Sequence, residues 1–152
     1  MVTRRYTTDR DMGLQRFIRE LQTAGVTEVV VGVQEGSDNN GQSIAEYAAY
    51  NEFGTTRAPE RSFMRTAFDE NVNDLSADID RRYSQIVAGT KTVYQALGLI
   101  GLRHQEQIKH KIDTNVPPPN APLTIALKGS SHTLIDTGAM KNSIHYIIRR
   151  VS

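Results

Sequence analysis

The sequence predicts an α+β domain in which a small antiparallel sheet packs on two long helices, with short helices and long loops beside them. Apolar residues recur at helical spacing over residues 64–86 and again over residues 93–112, which indicates the two long helices. The β-branched segment 28–33 and the alternating segment 144–151 are typical of strands, and we expect them to pair. A chain of 152 residues that is 38% hydrophobic can supply the core of one such domain.

The first part of the chain is predicted to contain an arm, a helix, a strand and a loop. Residues 1–8 are polar and basic, and this N-terminal arm is either frayed or ordered on a neighbouring molecule. The single domain is predicted to span residues 9–152, and it begins with an amphipathic helix that Gly25 ends. The strand at 28–33 leads into a loop over residues 34–42, whose glycine, asparagine and aspartate residues favour turns.

A short helix is predicted to begin at Ile44 and to end at Gly54. Ser43 and Glu46 have the spacing of a capping box, in which both side chains bond backbone N–H groups at a helix start. Glycine ends helices readily because it accepts a left-handed backbone conformation. Ser62 suits the N-cap position of the next helix.

That next helix is predicted over residues 63–88, with a length of about 39 Å. Its apolar stripe favours the core helix of the domain, with an interface helix as the alternative. Thr92 and Gln95 form a second capping-box pattern at the start of the following helix. Gly98 and Gly101 within it indicate close approach by another backbone, either inside the domain or between subunits.

Consecutive prolines end the second long helix, because they lack a backbone N–H and favour extended geometry. Residues 115–133 are therefore predicted to form a long surface loop, and loops of this length in small domains are usually functional or mobile. Asp136 or Thr137 is then predicted to cap a short helix that continues through Asn142.

Composition disfavours several classes of protein. A formal net charge of +1 gives no support to a chain built to neutralise phosphates. The lack of cysteine removes disulfides, thiolate nucleophiles and cysteine-based zinc sites. The first thirty residues lack an apolar signal core, and no apolar run approaches the roughly 20 residues of a membrane span. We therefore expect assembly in the cytoplasm and no membrane association.

The sequence offers no convincing catalytic or metal-binding pattern. His104 and His110 do not have the spacing of a histidine pair at i, i+4 on a helix. Asp136, Ser143 and His145 are residue types of a catalytic triad, but no nucleophile-elbow motif accompanies them. We therefore predict a protein that is not an enzyme and that has no cofactor or metal ion.

Two blocks of the sequence resemble a known family of viral proteins. Residues 48–55 read AAYNEFGT and residues 58–65 read APERSFMR, which is similar to the NEFG…IPARPF signature of small tail-completion and neck proteins of tailed bacteriophages, also called virion morphogenesis proteins. Residues 119–124 (PNAPLT), 128–130 (KGS) and 134–144 (LIDTGAMKNSI) resemble the ending of the same family, PNAPST…KG…LIDTGxLxxSI.

The resemblance implies a non-enzymatic phage structural protein at the head-to-tail joint. Such a protein would assemble as a ring, with a hexamer favoured, and the ring would link the tail to the head connector. It would be assembled in the cytoplasm of the host bacterium and would remain in the virion. The implied partners are further copies of the chain, tail terminator or tube proteins and head-connector proteins, with a passing contact with DNA in the lumen. The alternatives are a tail terminator ring and a nucleic-acid-binding module that lines or contacts packaged DNA, the latter motivated by Arg4, Arg5, Arg149 and Arg150.

The two motif blocks also supply the predicted interface of the ring. Arg57, Arg61 and Arg65 accompany the first block, and they are either ordinary surface arginines or partners of carboxylates on another subunit. Glu52 is predicted to hold the loop that follows it by accepting hydrogen bonds from backbone N–H groups. The predicted interface residues are Asn51, Glu52, Phe53, Gly54, Arg57, Pro59, Arg61, Phe63, Arg65, Pro119, Asn120, Pro122, Lys128, Asp136, Thr137 and Gly138.

Overall fold

The computed structural model describes residues 12–34, 41 and 43–151, and it has the predicted α+β arrangement. The elements in chain order are α1 (Leu14–Ala24), β1 (Thr27–Val33), α2 (Ile44–Phe53), α3 (Phe63–Val87), α4 (Val93–Asp113), α5 (Pro122–Lys128), α6 (Ala139–Asn142) and β2 (Ile144–Arg150). The predicted N-terminal arm and most of the predicted loop at residues 34–42 lie outside the described residues. Among the described helices, none is both long and apolar enough to cross a membrane.

The two strands form an antiparallel sheet, which confirms the predicted pairing. Val33 lies opposite Ile144 at one end of the sheet, and Glu28 lies opposite Arg149 near the other. Arg149 Nε donates to Glu28 Oε1 at 2.7 Å, so the cross-strand neighbours in this register are also an ion pair.

The hydrophobic core lies where α2, α3, α4 and the sheet meet. α4 packs on both strands and on α3. Ile108 and Ile112 of α4 are fully buried, together with Phe63 of α3 and Ile144 of β2. Burial of each such side chain contributes about 1.5–3 kcal/mol, so this cluster fixes the start of α3 against the sheet.

The start of α4 has the predicted capping box. Gln95 N donates to Thr92 Oγ1 at 3.2 Å, and Thr92 N donates to Gln95 Oε1 at 3.0 Å. A third contact comes from α1, because Val93 N donates to Glu20 Oε2 at 2.7 Å. This bond ties α1 to the start of α4, although α1 itself buries none of its residues.

The capping box predicted at the start of α2 is only half formed. Glu46 N donates to Ser43 Oγ at 3.3 Å, as expected for an N-cap serine. The Glu46 carboxylate instead accepts from the hydroxyl of Tyr50, one turn along the helix. This hydrogen bond raises the pKa of Tyr50, because it favours the protonated phenol.

α3 has the predicted length but does not bury its predicted face. Its buried residues are Phe63, Ala67, Leu75 and Asp78. The predicted role as core helix thus holds for only part of the stripe, since four of its members remain 40% to 59% exposed: Phe68, Val72, Ile79 and Tyr83.

The glycines of α4 are explained by the sheet. A Cβ atom on Gly101 would lie 2.7 Å from Tyr146 Cγ of β2 and 2.7 Å from Val29 Cγ2 of β1. The close approach is thus internal to the domain. It is made by side chains of the sheet, whereas the sequence predicted approach by another backbone. The nearest atom to a Cβ on Gly98 is the Tyr146 hydroxyl oxygen at 3.7 Å, which is an ordinary contact distance.

We expect Gly101→Ala to lower the free energy of unfolding by about 1–3 kcal/mol, because the added methyl group overpacks the contact between α4 and the sheet. Gly98→Ala is the matched control on the same helix. It should leave stability unchanged or raise it by up to about 1 kcal/mol, since alanine has the better helix propensity. Urea unfolding measures both variants, and equal effects would contradict the explanation by close packing.

The chain between α4 and β2 is more structured than predicted. Residues 122–128, within the predicted loop at 115–133, form α5, which begins with Pro122 in its first turn and ends at Gly129 with φ 69° and ψ 11°. The prediction that Asp136 or Thr137 caps the next helix is wrong, because Gly138 occupies the N-cap of α6 with φ 80°. The Thr137 hydroxyl accepts from Ala139 N at 3.3 Å.

Candidate functional site

The first motif forms a turn that folds back on the end of α2. Gly54 has φ 72° and ψ 173°, so the predicted positive φ is present, but the backbone is not in the left-handed helical region. A Cβ at this position would lie 2.8 Å from Glu60 N. Thr55 N donates to Ala58 O at 2.8 Å, and Arg61 N donates to Asn51 O at 2.7 Å. The turn therefore closes where only glycine fits.

Glu52 connects the end of α2 to the start of α3. Its carboxylate accepts from Met64 N at 2.9 Å and from Arg65 N at 3.0 Å, which are backbone groups of the first turn of α3. The side chain of Arg65 also donates to it, Nε to Oε1, at 3.0 Å. Glu52 is 4% exposed, and a buried carboxylate is favourable here because a helix start presents unpaired N–H groups and partial positive charge.

This geometry revises two predictions. Glu52 does accept from backbone N–H groups, but they belong to α3 and not to the loop that follows α2. Ser62 was predicted to cap α3, and its side chain makes no capping bond. Its hydroxyl lies 3.0 Å from the hydroxyl of Thr66. The N-terminus of α3 is thus capped from another helix.

Arg61 joins the first motif to the second. It is 7% exposed, and its guanidinium donates from Nε to Pro118 O at 2.8 Å and from Nη2 to Pro119 O at 3.3 Å and Asn120 Oδ1 at 3.2 Å. All three acceptors are neutral, and within the described residues Arg61 has no carboxylate partner. The side chain holds the proline-rich segment against the turn of the first motif.

The proline-rich segment is held from its other side as well. Asn120 Nδ2 and Lys128 Nζ both donate to His132 O, at 3.0 Å and 2.7 Å. Thr133 N donates to Asn115 Oδ1 at 2.8 Å, and the Thr133 hydroxyl donates to Val116 O at 2.9 Å. These bonds close the segment on itself, and the bonds of Arg61 join it to the first motif.

A cleft of about 730 Å³ lies between the two motif blocks, and we call it the motif cleft. Its charged lining residues are Arg57, Arg61, Lys128 and Asp136, so positive charge is in excess. Burial lowers the pKa of Lys128, and the neighbouring Arg61 lowers it further, while Asp136 opposes both effects. The cleft is therefore suited to a group that carries negative charge.

Apolar and aromatic side chains stand beside this charge. Leu127 of α5 lines the cleft and is 82% exposed, and Leu123 lies one turn earlier on the same helix and is also exposed. Phe53 is 66% exposed at the end of α2, with the guanidinium carbon of Arg65 5.1 Å from its ring centroid. Exposed aromatic and arginine side chains together are typical of protein-binding surfaces.

The structure divides the predicted interface residues into two groups. Four of them are buried inside the subunit, where they hold the surface in place, and their part in an interface between subunits stays a prediction: Asn51, Glu52, Arg61 and Phe63. The others are exposed or partly exposed around the cleft and the adjoining turns: Phe53, Gly54, Arg57, Pro59, Arg65, Pro119, Asn120, Pro122, Lys128, Asp136, Thr137 and Gly138.

Several residues that line the cleft are not among the predicted interface residues. They include Tyr47, Ala58, Thr124, Leu127 and Thr133. For Leu127 a signal was present, since Leu123 and Leu127 have the one-turn spacing of a helix that starts at Pro122 and ends before Gly129. The others lie on faces that only the tertiary fold brings together.

Among the described residues, no hydrogen bond joins Asp136, Ser143 and His145 to one another. His104 contacts Gln107 and the ring of Phe68, and the Ser143 hydroxyl donates to Met140 O at 2.8 Å. Within the described ranges, no three histidine, aspartate or glutamate side chains are arranged to hold a metal ion.

Comparison of the chain with family models, curated proteins and solved structures yields no significant match.

Proposed function

We propose that this chain is a non-enzymatic structural subunit of the head-to-tail joint of a tailed phage, and that it assembles as a ring linking the tail to the head connector. The observation that carries the proposal is the buried bond set of Arg61, which unites the two motif blocks that resemble tail-completion proteins. Motifs that pack together in three dimensions act as one surface.

The physical case for a ring rests on how this surface is built. Buried side chains hold the turn of the first motif and the proline-rich segment in place, while the outer residues of both stay exposed. Binding a partner therefore costs little conformational entropy, because the surface is already ordered. A small subunit joins two wide symmetric machines only by repeating the same surface around an axis. A closed ring of six copies would supply that repetition, and its modest contacts would add through multivalency.

The DNA-contacting alternative is less well supported by the described residues. Arg149 is engaged by Glu28, and Arg4 and Arg5 lie outside the described ranges. The tail terminator alternative shares the ring geometry and differs in its partner.

We expect the purified chain to form a species of about six times its 17.0 kDa mass, visible as a ring by negative-stain microscopy. Light scattering measures the mass. Pull-down with the tail-tube and head-connector proteins of the phage that encodes the chain measures the partners. A persistent monomer that binds neither protein would overturn the proposal, and binding to the tube protein alone would favour the terminator alternative.

A further inference from the structure

The exposed face of α3 carries an apolar stripe that the rest of the subunit covers only in part. We call Phe68, Val72, Ile79 and Tyr83 the α3 stripe; these residues follow one another at helical spacing along a single side of the helix. Each of these four large side chains is 40% to 59% exposed. Single exposed hydrophobic residues are normal on a protein surface, but a contiguous row of them indicates an interaction site.

Two carboxylates flank the α3 stripe, and neither is used inside the subunit. Asp69 and Asp80 lie about three helical turns apart, on the same side of the stripe. Within the described part of the chain, neither side chain makes an ion pair or a hydrogen bond. The neighbouring acids Glu70 and Asp74 differ, because they are paired with Lys111 at 2.7 Å and Arg103 at 3.5 Å.

The motif cleft carries the opposite charge, because cations outnumber carboxylates in its lining. Among the described residues, neither Arg57 nor Lys128 forms an ion pair, and the buried cation of Arg61 meets only neutral acceptors. Charges with reduced access to water attract an incoming carboxylate more strongly than charges in bulk water. The exposed leucines of α5, Leu123 and Leu127, offer an apolar surface beside these cations.

We infer that the α3 stripe of one subunit binds the motif cleft of the next. Asp69 and Asp80 face the cations of the cleft, and the apolar side chains of the stripe pack on the leucines of α5. The inference rests on the proposed ring and adds its contact surfaces. Two different surfaces of one chain meet in such a contact, which makes it heterologous, and heterologous contacts generate rings when the rotation closes.

A pair of charge-reversal variants tests the contact. The cleft variant is Arg57→Glu with Leu127→Glu, and the stripe variant is Asp69→Arg with Asp80→Arg. All four residues are exposed, and their side chains make no hydrogen bonds in the described structure, so both variants should unfold at the wild-type temperature. Each variant alone should lose at least about 100-fold in subunit affinity, because like charges then face each other.

Mixing the two variants is expected to restore assemblies of wild-type mass. The cleft of the stripe variant is intact and binds the intact stripe of the cleft variant, while the reversed surfaces attract one another. Sedimentation velocity measures the three samples. Variants that assemble alone as the wild type does, or a mixture that stays monomeric while the wild type forms rings, would overturn the inference and leave the proposed function standing.

Crosslinking supplies a second readout that does not depend on charge reversal. The chain has no cysteine, so Asp80→Cys with Leu127→Cys places two unique thiols in each subunit. A short bismaleimide should link the assembly of the double-cysteine variant into a ladder of oligomers, and each single-cysteine variant should give no ladder. A wild-type chain that never assembles would overturn both the inference and the proposed function. A cleft variant that keeps its rings and loses only tail or connector binding would assign the cleft to another partner and reject the inference.

Discussion

Arg61→Ala is expected to lower the free energy of unfolding by about 3 kcal/mol. The change removes three hydrogen bonds from a buried guanidinium and leaves Pro118 O, Pro119 O and Asn120 Oδ1 without that donor. Amide hydrogen exchange should accelerate in the segment that follows α4, because its tie to the first motif is lost. Chemical unfolding and hydrogen exchange with mass spectrometry measure the two effects.

Arg57→Ala is the control for this prediction. Arg57 lines the same cleft, but only its backbone N is bonded, to Thr55 Oγ1 at 3.2 Å. Its replacement should change stability by no more than about 0.5 kcal/mol. If Arg57→Ala and Arg61→Ala cost the same, Arg61 does not hold the two motif blocks together.

Glu52→Ala is expected to lower the free energy of unfolding by about 2–3 kcal/mol. The variant leaves the backbone N–H groups of Met64 and Arg65 without their acceptor at the start of α3. It also removes the buried partner of the Arg65 side chain. Glu52→Gln keeps one acceptor oxygen and should fall between the wild type and the alanine variant. Thermal and chemical unfolding followed by circular dichroism give the order.

Glu60 provides the comparison for Glu52, since both carboxylates bond Arg65. Arg65 Nη2 donates to Glu60 Oε1 at 2.6 Å, but that pair is exposed and Glu60 caps no helix. Glu60→Ala should therefore cost no more than about 0.5 kcal/mol. A Glu60 variant as unstable as the Glu52 variant would mean that the ion pair, and not the helix cap, carries the effect.

The features that could be predicted from the sequence are those whose determinants lie within one helical turn. The Thr92 and Gln95 capping box needs only a spacing of three residues, and the end of α2 needs only a glycine at position 54. The strand pairing was also predictable, because the sequence offers two clear strand patterns and a single strand needs a partner; β1 and β2 are the strands of the described part of the chain.

The remaining features depend on contacts between distant positions. The cap of α3 comes from Glu52, 12 residues before Met64, so the serine at position 62 indicates the helix start but not its cap. Arg61 is buried by Pro118, 57 positions later, and no local pattern indicates that burial. The periodicity of α3 gave its length correctly, but period alone does not reveal which side the rest of the chain covers.

The register of the sheet has a consequence for how the chain is made. Glu28 and Arg149 are neighbours across the strands yet lie 121 positions apart, so β1 has no partner until nearly all of the described chain has been synthesised. Pairings of such high contact order form slowly. Until Tyr146 has been synthesised, the side of α4 that carries Gly98 and Gly101 remains exposed. The sheet is thus completed only after β2 has been synthesised, and a chain interrupted before β2 would leave β1 without its strand partner.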